Sequence, residues 1–291
     1  MYANWATIAP PGPAVPTDTP EMSEPMSPAV QQQEAPAPAA AGPVKSAARA
    51  LDLLDEIAAR GPGTQLQLST RLSIPKSSLH ALLRTMVDRG WLQTDPTGSV
   101  YQLGIHSLVV SSAYLDGDPV LARATSVLDE VAAATEETVH LGRLDGSDVI
   151  YTAKRESMHP LRMHSAVGRR LPAYATSLGR ALLAEMPVEA RADMVPDHIN
   201  AITPNTTTDK DAVLEIIDRA AYQGYATESE ESCMGVRCFG VALPFTHHAV
   251  DALSVAVPIS RLGDGREDLI IETLLSVKAR LAAVHGNSLV R

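Results

Sequence analysis

The chain has 291 residues, of which 45% are hydrophobic, 20% are charged and 4% are aromatic. This is the composition of a globular protein, and so few aromatic residues argue against a stacking surface for single-stranded nucleic acid. The two cysteines, Cys233 and Cys238, are too few for a disulfide scaffold or a four-cysteine zinc site. No long apolar stretch and no secretory signal pattern is present, which predicts a cytoplasmic protein that does not enter a membrane.

The net charge of −10 is unevenly distributed along the chain. Residues 1–43 contain four acidic residues and no basic residue, and residues 104–291 contain 17 basic against 25 acidic residues. Residues 44–103 are the exception, with seven basic and five acidic residues. A polyanion such as DNA is therefore expected to bind this middle segment, through the local placement of charges rather than through bulk charge.

The first 43 residues contain ten prolines and ten alanines without apolar periodicity. Such a segment cannot bury enough apolar surface to offset the entropy of ordering the chain. The sequence therefore predicts a disordered tail over residues 1–43, and its composition indicates no function for this tail.

From Val44 onward, apolar residues recur at helical spacing. A first helix is predicted up to Gly61, with an apolar stripe of Ala47, Leu51, Leu54 and Ala58, widened by Leu53 and Ile57. A short second helix follows, and a third begins at Pro75 with an inward stripe of Leu79, Leu82, Leu83 and Met86. Two short strands then flank a turn over residues 95–99, which is typical of a hairpin. Three helices and a hairpin predict a winged helix-turn-helix over residues 44–104.

The rest of the chain mixes helices with strands. Residues 105–118 predict a connecting helix, and residues 119–291 predict a second domain. Its helices are expected over residues 120–135, 176–185, 209–223 and 266–285, and its strands over residues 138–144, 149–154, 161–163, 225–228, 237–243 and 252–258. Because strands and helices do not alternate strictly, the pattern favours an α+β fold with a mainly antiparallel sheet in this C-terminal α/β domain.

The third predicted helix carries the clearest functional pattern. With its leucines inward, Ser77, Arg84 and Asp88 lie on the opposite side, where serine and arginine side chains are placed to hydrogen-bond to base edges in the major groove. Backbone amides at the start of the helix, together with Lys76, suit a phosphate. The solvated face of a protein-interaction domain would show the same pattern, so both interpretations stay open at this point.

Seven segments match one known family in order and spacing. They are residues 46–54, 74–83 (IPKSSLHALL), 101–104, 171–184 (LPAYATSLGRALLA), 224–226, 235–238 and 253–258. Through them the chain resembles the isocitrate lyase regulator (IclR) family of bacterial transcription factors, from residue 44 to about residue 288. At the start of the second helix the family usually has an apolar residue followed by a polar one, whereas this chain has Gln65 followed by Leu66. Later in this segment, Ser69 replaces a frequent Ala and Ser73 a frequent Gly.

The resemblance implies a one-component sensor of the homodimer or dimer-of-dimers type. A winged helix would bind double-stranded operator DNA, the connecting helix would pair two subunits, and the C-terminal domain would bind a small organic effector. A two-fold dimer predicts a near-palindromic operator. The residues implied to face bases are Ser77, Ser78, His80 and Arg84, and those implied to meet phosphate are Lys45, Lys76 and the wing tip from Thr97 to Ser99.

The same resemblance implies an effector site for a small carboxylate or a related amide. Ser177, Leu178 and Gly179 would offer backbone amides at a helix start. The implied apolar wall consists of Leu161, Met163 and Val236, and the implied polar lining of Glu228, Cys238, Ser254 and Ala256. Three residues depart from the family, because Ser177 replaces a common Gly, Ala256 a common Ser and Glu228 a common Asp. Ala256 with Leu161 and Met163 favours an aromatic or longer-chain acid.

Two alternatives remain beside a DNA-binding regulator. One is a winged helix that binds a protein instead of DNA. The other is an enzyme with Cys238 as nucleophile and His140 as base, although no motif places these two side chains together. The sequence lacks a metal-ligand spacing, a phosphate loop and a nucleotide-binding glycine motif, so it predicts no catalytic residues, no metal and no cofactor.

Overall fold

A computed structural model describes residues 44–163, 165–245 and 249–288. The tail predicted over residues 1–43 lies outside the described residues. Within the described ranges, no helix combines the length and the apolar character that crossing a membrane requires.

The first folded unit contains three helices and a three-stranded sheet. Its elements are α1 (Lys45–Arg60), β1 (Gly63–Thr64), α2 (Gln65–Leu72), α3 (Lys76–Asp88), β2 (Leu92–Thr94) and β3 (Val100–Leu103). Strand β3 lies between β1 and β2 and is antiparallel to both. The predicted winged helix-turn-helix is confirmed. Strand β1 has no counterpart in the prediction, because two residues are too few to show an alternating pattern.

The core of this unit closes around α3. Its buried side chains are Leu53, Ile57, Leu68, Ile74, Leu79, Leu83, Met86 and Leu92. On α1 the buried pair is Leu53 and Ile57, whereas Leu51 is 62% exposed. The prediction that Leu51 belongs to the core-facing stripe of α1 was therefore wrong. Two apolar stripes run side by side on this helix, and spacing alone does not show which of them faces the core.

Local hydrogen bonds define the turn between α2 and α3. The side chain of Thr64 and that of Gln67 each accept from the other residue's backbone amide, at 3.3 and 2.8 Å, which fixes the start of α2. Ser73 adopts the left-handed conformation with φ 53°. The Ser69 hydroxyl donates to the carbonyl of Ile74 at 2.7 Å. These bonds hold the turn although a serine stands where the family often has glycine.

The connecting helix α4 (Ile105–Asp116) starts against the first unit. The His106 amide donates to the carbonyl of Gly90 at 3.1 Å, and the His106 ring meets Trp91 edge-on with 4.7 Å between centroids. No residue of α4 is buried, and its exposed large apolar side chains are Ile105, Leu108, Val109, Val110 and Tyr114. Such a surface is typical of a helix that packs against another chain.

The second folded unit is a sheet covered by helices on both faces. Its elements are α5 (Pro119–Thr135), β4 (Thr138–Asp145), β5 (Asp148–Arg155), β6 (Arg170–Pro172), α6 (Ser177–Ala184), α7 (Val188–Met194), α8 (Lys210–Gln223), β7 (Ala226–Ser229), β8 (Val236–Leu243), β9 (Asp251–Pro258) and α9 (Arg266–Ser288). The strand order is β6-β5-β4-β9-β8-β7, with antiparallel pairing throughout. Helices α5 and α9 pack on one face, and α6 and α8 on the other. The predicted α+β class is confirmed.

The strand predicted over residues 161–163 is wrong. The strand that pairs with β5 at the sheet edge is β6, with Arg170 opposite Ile150 and Pro172 opposite Asp148. Leu161 is 63% exposed, and its carbonyl accepts a hydrogen bond from Arg261. Two apolar residues with one residue between them are too short a pattern to define a strand.

Candidate nucleic-acid interface and effector site

The polar side of α3 points outward. Leu79 and Leu83 are fully buried on the opposite side. All of the residues predicted to contact DNA are exposed: Lys45, Lys76, Ser77, Ser78, His80, Arg84, Thr97 and Ser99. Each is therefore accessible to a duplex that approaches from outside the unit.

Three neighbouring stripes share this outer side of α3. Ser77 and Arg84 belong to the middle stripe, and Arg84 lies 4.0 Å from Asp88 in an exposed ion pair, which contributes little to stability. The His80 ring lies on the flank toward the start of α2, where it meets Gln65. Ser78 lies on the other flank, toward α1. The middle stripe is thus the part of α3 that lies farthest from the buried leucines.

Asp95 organises the turn of the wing. Its carboxylate accepts from the Thr97 hydroxyl at 2.6 Å, from the Ser99 amide at 2.8 Å and from the Val100 amide at 2.9 Å. These hydrogen bonds, that of Thr97 first, lower the pKa of Asp95 to about 2. The hydroxyl hydrogen of Thr97 is used inside the turn, which leaves Ser99 as the hydroxyl donor at the wing tip.

An apolar groove of about 630 Å³ lies between α1 and α3. Its apolar lining consists of Ala47, Ala50, Leu51, Leu54, Ala81, Leu82, Met86 and Trp91. Three of these eight residues, Ala47, Leu51 and Leu54, belong to the apolar stripe predicted for α1. Ser78 also lines the groove, so an occupant of the groove would restrict the access of DNA to Ser78.

The residues predicted for the effector site come together, with one exception. Met163, Val236, Cys238 and Ala256 form a buried cluster. Cys238 pairs with Ala256 across β8 and β9, and with Glu228 across β8 and β7. The exception is Leu161, which is exposed and lies outside this cluster.

The start of α6 is pressed against the large sheet beside this cluster. A Cβ on Gly179 would lie 2.2 Å from Cα of Ala173, and a Cβ on Gly240 of β8 would lie 2.7 Å from the carbonyl oxygen of Ser177. Thr176 caps the helix by accepting from the Gly179 amide at 3.0 Å. The amide of Gly179 is therefore occupied, and the amides of Ser177 and Leu178 are those that the helix start offers to an anion.

Glu228 faces the turn between β7 and β8. Its carboxylate accepts from the Glu231 amide at 2.9 Å and from the Ser232 hydroxyl at 2.9 Å, and the Cys238 thiol hydrogen-bonds to it. Burial raises the pKa of Glu228, against the effect of these hydrogen bonds. The carboxylate predicted to meet the effector is thus engaged in holding the turn that carries the site's wall.

Cys238 has the properties of a protonated thiol. It is buried, and burial together with the neighbouring Glu228 raises its pKa well above the ordinary value. A catalytic cysteine needs the opposite environment, because the thiolate is the nucleophile. His140, the base of the enzyme alternative, has Nε2 at 2.7 Å from the Ser165 hydroxyl oxygen.

His140 itself lies on the same side of the sheet as the residues predicted for the effector site, and the prediction did not include it among them. It lies opposite Ser254 across β4 and β9, and its ring stacks on Tyr151 with 4.6 Å between centroids. Burial, helped by the positive charges of Lys154 and Arg169, lowers the pKa of His140 to about 4. The ring is therefore neutral at neutral pH. The alternation of Val139 and Leu141 on the other face of β4 is the sequence signal for this position.

Comparisons with known proteins place the chain in a family. Residues 46–96 match the model of the IclR helix-turn-helix domain, and residues 112–282 match that of the bacterial transcriptional regulator IclR C-terminal family. The HTH-type transcriptional regulator XynR from Escherichia coli (strain K12) is 33% identical over 227 residues, which cover 76% of this chain and 89% of that relative.

Solved structures share the fold. An IclR transcriptional regulator from Alicyclobacillus acidocaldarius superposes with a TM-score of 0.73 at 24% identity, over 83% of this chain and 98% of that chain. An IclR homologue from Microbacterium hydrocarbonoxydans, complexed with 4-hydroxybenzoate, superposes with a TM-score of 0.65 at 21% identity, over 82% and 99% of the two chains. The matched family models and relatives are those of transcriptional regulators, not of enzymes. By its two matched domains, the chain belongs to the IclR family of bacterial transcriptional regulators, with a DNA-binding helix-turn-helix domain and a ligand-binding C-terminal domain.

Proposed function

We propose that the chain is a homodimeric regulator in the bacterial cytoplasm that binds a near-palindromic operator and changes its affinity for it when a small organic acid binds. Residues 44–104 bind DNA, residues 105–118 connect and pair the subunits, and residues 119–291 bind the acid. The observation that carries this proposal is the burial of Leu79 and Leu83, which turns the serine and arginine side of α3 outward.

The residues of the interface divide into base readers and phosphate contacts. Arg84 has the geometry to pair with guanine, and Ser77 and His80 lie beside it on the exposed side of α3. Lys45, Lys76 and the wing tip hold the duplex through its phosphates. Ser78 and Thr97 contribute less, because Ser78 lines the groove toward α1 and the Thr97 hydroxyl is engaged by Asp95.

The effector is a small acid with an apolar body such as an aromatic ring. The amides of Ser177 and Leu178 suit its carboxylate, and the cluster around Met163 suits its body. A homologue with the same fold carries 4-hydroxybenzoate, an acid of this type.

On this proposal, the body of the acid binds at the position of the Met163 side chain. This side chain is buried against Val236, Cys238 and Ala256. An acid that enters the cluster must displace this side chain, which its flexible thioether allows. Ser165, two residues on, is hydrogen-bonded to His140 of the central strand β4, so we expect displacement of Met163 to disturb this contact.

Pairing of two subunits would cover two apolar surfaces of the chain. These are the exposed side of α4 and the groove between α1 and α3. Packing α4 of one subunit into the groove of the other buries both surfaces in a two-fold arrangement. Leu108→Asp on α4 should then yield monomers in light scattering, whereas Thr125→Asp on the exposed side of α5 should not.

The test combines DNA selection with calorimetry on the full-length protein. Selection from random duplexes should enrich a near-palindromic sequence whose binding weakens as salt rises. Titration with pyruvate, benzoate, 4-hydroxybenzoate and benzamide should show binding by an aromatic acid and a changed affinity for the selected operator. A protein that enriches no sequence would be a protein-interaction module, and one whose operator affinity is the same with and without bound acid would contradict the coupling.

A further inference from the structure

The contact between α2 and α3 defines a hydrogen-bonding role for His80. Gln65, the first residue of α2, donates from Nε2 to the carbonyl of Lys76 at 3.0 Å. Its Oε1 lies 3.4 Å from Nδ1 of His80. One amide side chain therefore touches both the first turn of α3 and a ring on the exposed side of that helix.

The chemistry of the amide decides which of its ends faces His80. A carbonyl oxygen only accepts, so the atom of Gln65 beside the Lys76 carbonyl must be the nitrogen. The oxygen of Gln65 then faces Nδ1 of His80, and because this oxygen is also only an acceptor, Nδ1 must carry the hydrogen. In the neutral ring this leaves Nε2 without a hydrogen, as an acceptor.

Resting on the proposed function, we infer that Gln65 is a positioning residue that holds His80 in its Nδ1–H form, so that Nε2 accepts a hydrogen bond from an exocyclic amino group in the operator's major groove. The amino groups on that edge are N6 of adenine and N4 of cytosine, whereas guanine presents the acceptors N7 and O6. Among the described residues, Nε2 of His80 has no hydrogen-bond partner.

This role differs from those of the other polar residues on α3. Lysine and arginine only donate, and serine both donates and accepts. Asp88, which only accepts, lies at the far end of α3 beside Arg84. Among the residues proposed to face bases, a histidine held in one tautomer is therefore the one that presents an acceptor and no donor to the groove, so it rejects a base that presents only acceptors. Gln65 also stands where the resemblance predicts an apolar residue, so the arrangement is a property of this chain.

The first experiment locates the base pair that His80 contacts. Random duplexes are selected with the full-length wild type and with His80→Ala in the same buffer. We expect the two selected sequences to differ at one position in each half-site, where His80→Ala loses its base preference.

The second experiment removes single atoms of the operator at that position. One duplex lacks only the amino group, with purine in place of adenine or 2-pyrimidinone in place of cytosine. A second duplex keeps the amino group and carries a 7-deaza purine in place of the purine of that pair. Loss of the amino group should weaken wild-type binding about fivefold to tenfold, the effect of one hydrogen bond, and should leave His80→Ala unaffected. Loss of N7 should leave the operator affinity of the wild type and of His80→Ala unchanged.

Two substitutions of Gln65 and one control substitution then test the role of this residue. Gln65→Met keeps the length of the side chain without its hydrogen bonds. In this variant, removal of the amino group from the operator should weaken binding by less than about twofold. Gln65→Glu keeps an acceptor oxygen for Nδ1 but replaces the donor beside the Lys76 carbonyl with a second oxygen, so it should retain only part of the dependence. Gln93→Met removes an exposed amide from β2 of the same unit, and this control should behave as the wild type.

Each contrary outcome points to a different error. Wild-type dependence on N7 instead of the amino group would overturn the acceptor role of His80, and equal dependence in Gln65→Met and the wild type would overturn the role of Gln65. A selected operator that does not change with His80→Ala would overturn the inference alone. If the wild type selected no sequence, the proposed function would fail, and the inference would fail with it.

Discussion

Arg143 of β4 and Asp118 at the start of α5 form an ion pair that links several elements. Arg143 also donates from Nε to Asp251 of β9 at 2.8 Å, and from Nη1 to the hydroxyl oxygen of Tyr114 on α4 at 2.9 Å. Asp118 in turn caps α5 by accepting from the Val120 amide at 2.8 Å. Burial opposes the charge on Arg143, but the hydrogen bonds to Asp118 and Asp251 raise its pKa above the ordinary value. One guanidinium thus joins the connecting helix to two central strands of the effector domain.

Replacing this guanidinium should destabilise the protein. Arg143→Met leaves the buried carboxylates of Asp118 and Asp251 without their cationic partner, and we expect the free energy of unfolding to fall by about 3 kcal/mol. Urea denaturation at neutral pH measures this change. Arg280→Met is the matched control, because its pair with Glu130 is about half exposed and should cost less than about 1 kcal/mol. Similar losses in both variants would contradict the structural role of Arg143.

His140 should make stability depend on pH. Its pKa is lowered to about 4 from the 6.5 of an unperturbed histidine. As the pH falls, the unfolded chain takes up this proton first, so the contribution of the neutral ring is complete above about pH 6.5 and is lost progressively toward pH 4. Between neutral pH and about pH 4, the wild type should lose about 2–3 kcal/mol more than His140→Gln in urea denaturation. Parallel pH profiles would show that His140 is not the group responsible.

Gly179 should tolerate no side chain. A Cβ there would lie 2.2 Å from Cα of Ala173. Cα is a backbone atom, so the clash cannot be relieved by a change of side-chain rotamer. Gly179→Ala should therefore lower the free energy of unfolding by about 1–3 kcal/mol and weaken the binding of acids that use the start of α6. Gly263→Ala is the control, because nothing lies within 4 Å of its Cβ position. Thermal unfolding and calorimetry measure the two effects, and equal behaviour of the two variants would contradict the tight packing.

Most of the fold could be predicted from periodicity, whereas several side-chain roles could not. The spacing of Leu79 and Leu83 predicts the buried side of α3 because a helix repeats regularly. The partners of Glu228 depend on the path of the β7–β8 turn, which no local pattern encodes. Gln65 meets His80 only because the turn after α2 brings the two helix starts together. Contacts of this kind are set by tertiary geometry rather than by spacing.

The two cysteines should differ in reactivity. Cys238 is buried with a raised pKa, whereas Cys233 is partly exposed. In the native protein, iodoacetamide should modify Cys233 about tenfold faster than Cys238 or more, and urea should remove the difference. Peptide mass spectrometry follows both sites, and Cys233→Ser should show no rapid modification. Fast modification of native Cys238 would instead indicate a reactive thiolate.

Arg84 and Lys76 should affect DNA binding in different ways. Arg84 is 79% exposed, so Arg84→Ala should change the free energy of unfolding by less than about 0.5 kcal/mol. At the selected operator it should cost about 1–3 kcal/mol and relax the preference at one base pair, because a base contact is lost. Lys76→Ala should weaken binding to all sequences, because a phosphate contact carries no sequence information. It should also reduce the slope of log affinity against log salt concentration by about one.

Arg60→Ala is the matched control for both DNA-binding variants. It removes an exposed arginine of the same unit from the end of α1 and should leave the operator affinity unchanged. Electrophoretic mobility shifts on the operator and on a scrambled duplex, at several salt concentrations, separate the two effects. If Arg84→Ala lost the same affinity for both duplexes, Arg84 would be a phosphate contact rather than a base contact. The sequence preference would then depend on the serine side of α3.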